Sequence, residues 1–245
     1  MESIPGYAEE ELDSYIALLF NFMYVLVELK TEEFFIVIKK IRTLGDNKKF
    51  ASHSKMRTQI FMHSYLCELG FYYETGKFEQ GAKLIAEVED GLKKYKAQTT
   101  EYEKITLYYL IATIYIRTKE YKKALSWVNR VLDMNNVLNN VQPMARVLNI
   151  LIHYKLGNKE ILEHLIRSSE RFLKKSERNY QLEIIVLKNI KKLMWVVSKD
   201  KLVASFKNLR SELLILLEDP YEKNALAYFD LVSWIDVELK EFSPA

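Results

Sequence analysis

One bulky aromatic residue recurs along this chain at a nearly constant interval. Tyr73, Tyr115, Tyr154, Trp195 and Trp234 are separated by 42, 39, 41 and 39 residues. A period held through four steps points to a repeated structural unit, each copy burying one face against the next. The unit is helical. Apolar residues recur at three- and four-residue spacing, and no Asn-Gly or Asp-Gly turn separates alternating runs. Only 7 Gly and 4 Pro in 245 residues leave little material for turns, while Leu, Glu and Lys, strong helix formers, occur throughout.

Leu12, Ile16, Leu19, Phe20, Met23 and Val27 form the stripe of a first helix over about 8–29. Thr31, followed by Glu32 and Glu33, is expected to cap a second over about 32–44 that ends at Gly45. Further helices are expected over about 53–75, 77–95, 100–118, 120–135, 142–156, 158–174, 178–197 and 199–217. They meet in pairs at Gly76, Thr118–Lys119, Gly157–Asn158 and Ser198–Lys199, and so form helix hairpins. A last helix opens with Asp219 as its cap and Pro220 in its first turn and runs to about Lys240. Pro143, like Pro220, falls where a helix should begin. The expectation is an all-α fold of five hairpins and one further helix, in a single domain over 1–245.

Two segments go beyond spacing. Leu66-x-x-Leu69-Gly70-x-x-Tyr73 is followed nine residues later by Ala82, and Tyr108-x-x-Ile111-Ala112-x-x-Tyr115 nine later by Ala124. This alternation of large and small residues resembles the tetratricopeptide repeat. The resemblance covers about 66–95 and 108–135; around Tyr154 the small residue is replaced by Glu163, and around Trp195 and Trp234 little but spacing survives. It implies a right-handed α-α superhelix, with Gly70 or Ala112 letting the facing helix approach, Ala82 or Ala124 receiving it, and the tyrosine filling the wedge of the hairpin.

The residues that could carry chemistry do not assemble into a catalytic or metal motif. His63 and Cys67 share a helix face, but no third ligand follows at metal-site spacing. His153 and His164 lie on the two helices of one hairpin and read as packing or solvated residues. There is no Gly-x-Ser-x-Gly elbow, and Gly76-Lys77 is a bare turn rather than a phosphate loop. Glu32-Glu33 and Glu101-Glu103 are expected in first turns, where carboxylates complement the helix dipole. No cofactor, catalytic residue or metal site is expected.

Lys plus Arg at 36 against Asp plus Glu at 33 is a balanced surface, which argues against a dedicated nucleic-acid binder. The basic runs Lys39, Lys40 and Arg42, Lys93, Lys94 and Lys96, Lys122 and Lys123, Lys174, Lys175 and Arg178, and Lys188, Lys191 and Lys192 are read mainly as helix-end charges. A single Cys67 fits a reducing compartment. The acidic stretch Met1–Glu11 does not read as a secretory signal, and the apolar window Tyr15–Leu29, interrupted by Asn21 and Glu28, is short of the ~20 residues that span a bilayer. A cytoplasmic protein without a membrane segment is expected.

The tetratricopeptide resemblance implies a binding groove on the concave face, lined by first helices. In this sequence its positions are Phe71, Glu74, Tyr109, Thr113, Arg117, Asn149, Ile152, Lys155 and Asn189. That mixture of aromatic, amide and charged groups suits an extended peptide or protein tail. The leading expectation is therefore a non-enzymatic protein- or peptide-binding scaffold. The alternative is a sensing or dimerisation module of a nucleic-acid-associated regulator, and a homodimer is left open.

Overall fold

The computed structural model describes residues 12–47, 53–134, 141–175 and 181–242. The stretch 1–11, the helix start expected near 178 and Arg178 lie outside them. Among the described residues every regular element is helical. In chain order these are α1 (Leu12–Glu28), α2 (Phe34–Asp46), α3 (Ser54–Glu74), α4 (Phe78–Lys94), α5 (Glu101–Arg117) and α6 (Tyr121–Asp133). There follow α7 (Gln142–Lys155), α8 (Lys159–Lys175), α9 (Gln181–Leu193), α10 (Lys199–Leu216), α11 (Pro220–Lys223), a 3₁₀ turn at Asn224–Ala227 and α12 (Leu231–Phe242). The chain divides into two compact units, Met1–Ile114 and Tyr115–Ala245, with the division falling inside α5.

The repetition is written in the turns. In four of them one residue takes a left-handed backbone: Lys30 (φ 53°), Gly76 (φ 71°), Lys119 (φ 61°) and Gly157 (φ 73°). At each, that residue's amide donates to the carbonyl three back, and the next amide donates to the carbonyl five back: Thr31 to Leu26, Lys77 to Tyr72, Glu120 to Tyr115 and Asn158 to His153. This paired pattern satisfies carbonyls that a helix end leaves open and reverses the chain abruptly. Glycine adopts the conformation freely, whereas the lysines at 30 and 119 adopt it against a steric cost.

The fifth expected hairpin lacks this joint. α9 ends at Leu193, and Trp195 and Val196 donate only three residues back, to Lys192 and Leu193, before Ser198 leads extended into α10. Trp195 is consequently 66% exposed and fills no wedge, which corrects the aromatic period at that step. The single last helix expected from Asp219 to Lys240 is also interrupted. Asp219 does accept the Tyr221 amide at 2.8 Å, but α11 lasts one turn, and Asp230 begins α12 anew by accepting the Ser233 amide at 3.0 Å.

In the first unit, α2 packs on α1, α3 on both α1 and α2, and α4 on α3. The core joins Ile16, Leu19 and Met23 of α1 to Phe34, Ile38 and Ile41 of α2 and to Ile60 and Phe71 of α3. The rings of Phe34 and Phe71 stack with centroids 5.1 Å apart. Three sequence readings change here. Thr31 makes no side-chain cap; its backbone carbonyl accepts from Phe34, and Glu32 and Glu33 precede α2 rather than sitting in its first turn. Gly45 does not end α2 but lies buried within it, where an added Cβ would meet Ile60 Cγ2 at 3.0 Å.

The third concerns the joint between α3 and α4. Gly70 has nothing within 4 Å of where a Cβ would stand, so it is not the point of close approach. Gly81 rather than Ala82 is the buried small residue, held against Ile114 and Tyr72. Nearest of all is Gly91, whose Cβ would fall 1.9 Å from Phe61 Cε2. In the second segment Ala112, Tyr115 and Ala124 are all buried.

In the second unit α7 is the central helix, buried from Gln142 to His153 except at Arg146, and it packs on α6, α8 and α9. A helix enclosed on most sides must be largely apolar, as Met144, Val147, Leu148, Ile150, Leu151 and Ile152 make it. Its first residue also finishes α6: Gln142 Nε2 donates to the carbonyls of Val131 at 2.9 Å and Met134 at 3.2 Å. α9 packs on α10, and α10 on α12. The buried Glu222 of α11 caps α9, its two oxygens accepting the amides of Gln181 at 2.8 Å and Leu182 at 3.1 Å.

Candidate binding surface in the second unit

Of the nine residues expected along a groove, six are interior. Phe71, Tyr109, Thr113, Asn149, Ile152 and Asn189 are all buried. Phe71 stacks in the first core, Thr113 donates to the Leu110 carbonyl at 2.7 Å, and Asn189 donates to the Ile185 carbonyl at 2.9 Å and to Glu212 at 3.1 Å. Buried side chains with spent hydrogen-bond donors have no face to present to a peptide, so these six are corrected from groove to packing residues. Glu74 is exposed and pairs with Lys30 across 3.4 Å. A register one or two positions wrong on a helix exchanges its inward and outward faces, and that is the origin of the error.

Arg117 and Lys155 remain, and both grip the same segment. Arg117 Nη2 donates to the Asp230 carbonyl at 2.9 Å, with its guanidinium 4.9 Å from the Phe229 ring centre. Lys155 Nζ lies 2.6 Å from Glu238 Oε2 and 3.5 Å from Glu241 Oε2, and Lys119 also pairs with Glu241. Three cations at the ends of α5 and α7 and in the turn after α5 therefore hold α12 by its leading carbonyl and two carboxylates. The apolar side of α12 inserts beside them: Leu231, Trp234 and Ile235 are buried, and Phe206 of α10 lies among Tyr154, Trp234 and Phe242 with ring centres 6.1–6.4 Å away. Arg210 clamps the outer side through both oxygens of Asp236, at 2.5 and 3.3 Å.

Residues 42–152 are similar to a family described as an uncharacterized protein conserved in bacteria, DUF2225. The matched stretch runs from α2 to the end of α7 and covers less than half of the chain, leaving out α12. No curated protein matches the chain, and no solved structure does. The tetratricopeptide likeness thus rests on the motif residues alone.

Electrostatics around α12 follow from depth. Burial pushes the Glu238 carboxyl above its ordinary range, against the opposing pull of Lys155, because its side chain is only 2% exposed. The shallower Glu241 goes the other way, held below its ordinary range by the hydrogen bond from Lys119. Burial raises the hydroxyl of Tyr154 to about 12 and that of Tyr121 further.

Among the remaining candidates, His63, Cys67 and His153 are taken up by packing or local hydrogen bonds. His63 shares a 2.6 Å hydrogen bond with Tyr24 and packs on Phe20, and burial lowers its pKa. Burial raises the Cys67 thiol to about 12, the opposite of activation. His153 bonds Asn158 at 3.0 Å, and His164 is exposed. Among the described residues no group of three or more His, Cys, Asp or Glu could hold a metal ion. Nor is any helix of the described residues long and apolar enough to cross a membrane. Lys93, Lys94, Lys174 and Lys175 do occupy the last turns of α4 and α8. Arg42 instead reaches inward to Glu68 at 2.7 Å over the ring of Tyr65.

Lys119, Glu238 and Glu241 escaped the sequence reading. A signal for one of them was present: Leu231, Trp234, Ile235, Glu238 and Phe242 follow helical spacing, which places a lone carboxylate on an apolar stripe. Such a residue needs a buried cation, and the chain supplies Lys155.

Proposed function

We propose that this chain is a non-enzymatic protein-binding scaffold of the cytoplasm, built on the plan of a tetratricopeptide-like superhelix. The observation that supports this reading best is the recurrence of one joint at Lys30, Gly76, Lys119 and Gly157, with the same pair of backbone hydrogen bonds each time. Repetition of a helix hairpin multiplies surface rather than assembling a reactive centre, and repeat chains of this kind work by presenting surface to partners. In this reading α12 is a cap: it fills the cationic row at Arg117, Lys119 and Lys155, and a partner meets faces that the chain leaves uncovered.

The test is cross-linking of the purified full chain in extract of its source cells, followed by hydrogen exchange on the isolated complex. One protein captured in stoichiometric amount, protecting outward helix faces while α12 amides exchange as before, is the expected result. Capture only of nucleic acid, lost with rising salt, would replace this reading by that of a nucleic-acid-associated regulator.

A further inference from the structure

The turn between α9 and α10 holds apolar side chains out in water. Trp127 and Trp234 are each 3% exposed, whereas Trp195 is 66% exposed and Val197 beside it reaches 94%. The turn itself is anchored: Leu193 and Met194, immediately before it, are buried, and the amides of Trp195 and Val196 donate to the carbonyls of Lys192 and Leu193. An indole and a branched side chain are thus presented at a fixed place.

Lysines surround them. Lys191 and Lys192 close α9, Lys199 and Lys201 open α10, all four are exposed, and Asp200 is the single carboxylate between Lys191 and Lys201. Lys188 continues the charge one turn back along α9. Cations suit a helix C-terminus, which accounts for the first pair; the second pair stands in the first turn of α10, where the helix dipole opposes a cation. None of the four lysines joins an ion pair among the described residues.

An apolar tip ringed by cations matches a bilayer with anionic headgroups. Tryptophan settles at the headgroup level, its ring in the apolar boundary and its N–H hydrated. Lysine stems lie along the same boundary while their ammonium groups reach the phosphates. We propose that the α9–α10 turn is a peripheral membrane-binding tip, which inserts Trp195 and Val197 into the interface of an anionic bilayer while Lys191, Lys192, Lys199 and Lys201 hold its headgroups. Such attachment needs no spanning helix and is independent of the protein-binding reading above. A nucleic acid would engage the lysines but offers Val197 no apolar layer. One ring and one branched side chain make a shallow anchor, so attachment is reversible and needs both the apolar and the charged part.

Co-sedimentation of the full chain with vesicles of phosphatidylcholine, alone or with about 30% phosphatidylserine, reads this together with tryptophan emission. The expected result is binding to the anionic vesicles only, weakened on the order of tenfold or more by high salt. Emission should shift to the blue, because Trp195 enters the interface while Trp127 and Trp234 are buried already. Trp195→Phe should remove the shift and keep most of the binding. Val197→Glu should weaken binding on the order of tenfold, and each lysine changed to Gln about fivefold, with melting temperatures unchanged because these positions face solvent. No binding to anionic vesicles at low salt overturns the proposal, as does binding with unshifted emission or binding that Val197→Glu and the lysine changes leave intact. A DNA duplex that displaces the vesicles and binds Val197→Glu as well as wild type also overturns it, by reducing the tip to a general polyanion patch.

Discussion

Lys155→Met tests the account of α12 most directly, because its cost has a ceiling that the structure sets and pH moves. Removing the ammonium leaves Glu238, 2% exposed, without its nearest counter-charge. Breaking a buried pair from one side costs about 3–5 kcal/mol when the orphan must stay charged. Glu238 has an escape: it can take up a proton. From its ordinary value of 4.5, protonation at pH 7 costs about 3.4 kcal/mol and at pH 5 about 0.7 kcal/mol, at 1.36 kcal/mol per unit. The sign follows from the raised carboxyl. Between 4.5 and the folded value the native state binds more protons than the unfolded one, so stability falls as pH rises. The burden of an unpaired Glu238 is therefore full at neutral pH and relieved in mild acid. Urea denaturation of wild type and Lys155→Met at both pH values should give a stability difference about 2–3 kcal/mol larger at pH 7 than at pH 5, with groups common to both chains cancelling. Adding Glu238→Gln to the variant should abolish that dependence. A loss equal at the two pH values would mean that Glu238 is not buried against Lys155, and the docking of α12 would have to be redrawn.

Two glycines on facing helices should respond with opposite signs. Gly70→Ala adds a methyl to open space in a helix interior and should stabilise by about 0.5–1 kcal/mol, whereas Gly91→Ala drives a methyl into Phe61, itself wedged between Tyr65 and Tyr95, and should destabilise by about 1–2 kcal/mol; thermal melts of the two variants decide it. Glu222→Ala removes both acceptors from the first amides of α9 and should cost about 2–3 kcal/mol, with faster hydrogen exchange at Gln181 and Leu182, while unchanged exchange there would deny the cap.

What the sequence disclosed was periodic, and what it hid was register. The positions of Gly76, Gly157, Pro143 and Pro220 located four helix boundaries correctly, because each acts locally through φ. The assignment of faces failed where it was copied from a motif. Gly70 matches the tetratricopeptide pattern by residue type, yet the close contacts fall on Gly81 and Gly91, which belong to no motif. Trp195 matches by spacing, yet it lies in the turn between α9 and α10, which has no left-handed residue, and its side chain stands exposed. Arg117 and Lys155, read from the sequence as groove residues, gave no hint that they hold α12, since that helix begins 114 and 76 positions later in the chain and only packing brings it back.

That return of α12 bears on where a partner can act. Leu231, Trp234 and Ile235 are buried, and burial of each contributes about 1.5–3 kcal/mol before the ion pairs of Glu238 and Glu241 are counted. A competing segment would have to replace that burial and those carboxylates against a tethered rival whose effective concentration is in the millimolar range. A ligand of ordinary micromolar affinity does not meet that condition. The cationic row, which by residue type is the natural peptide site, is thus an internal joint. In the proposed scaffold reading, recognition is left to faces with no internal claimant, such as the outward side of α1, where Leu18, Phe22 and Val25 stand about half exposed while Ile16, Leu19 and Met23 hold the helix from behind.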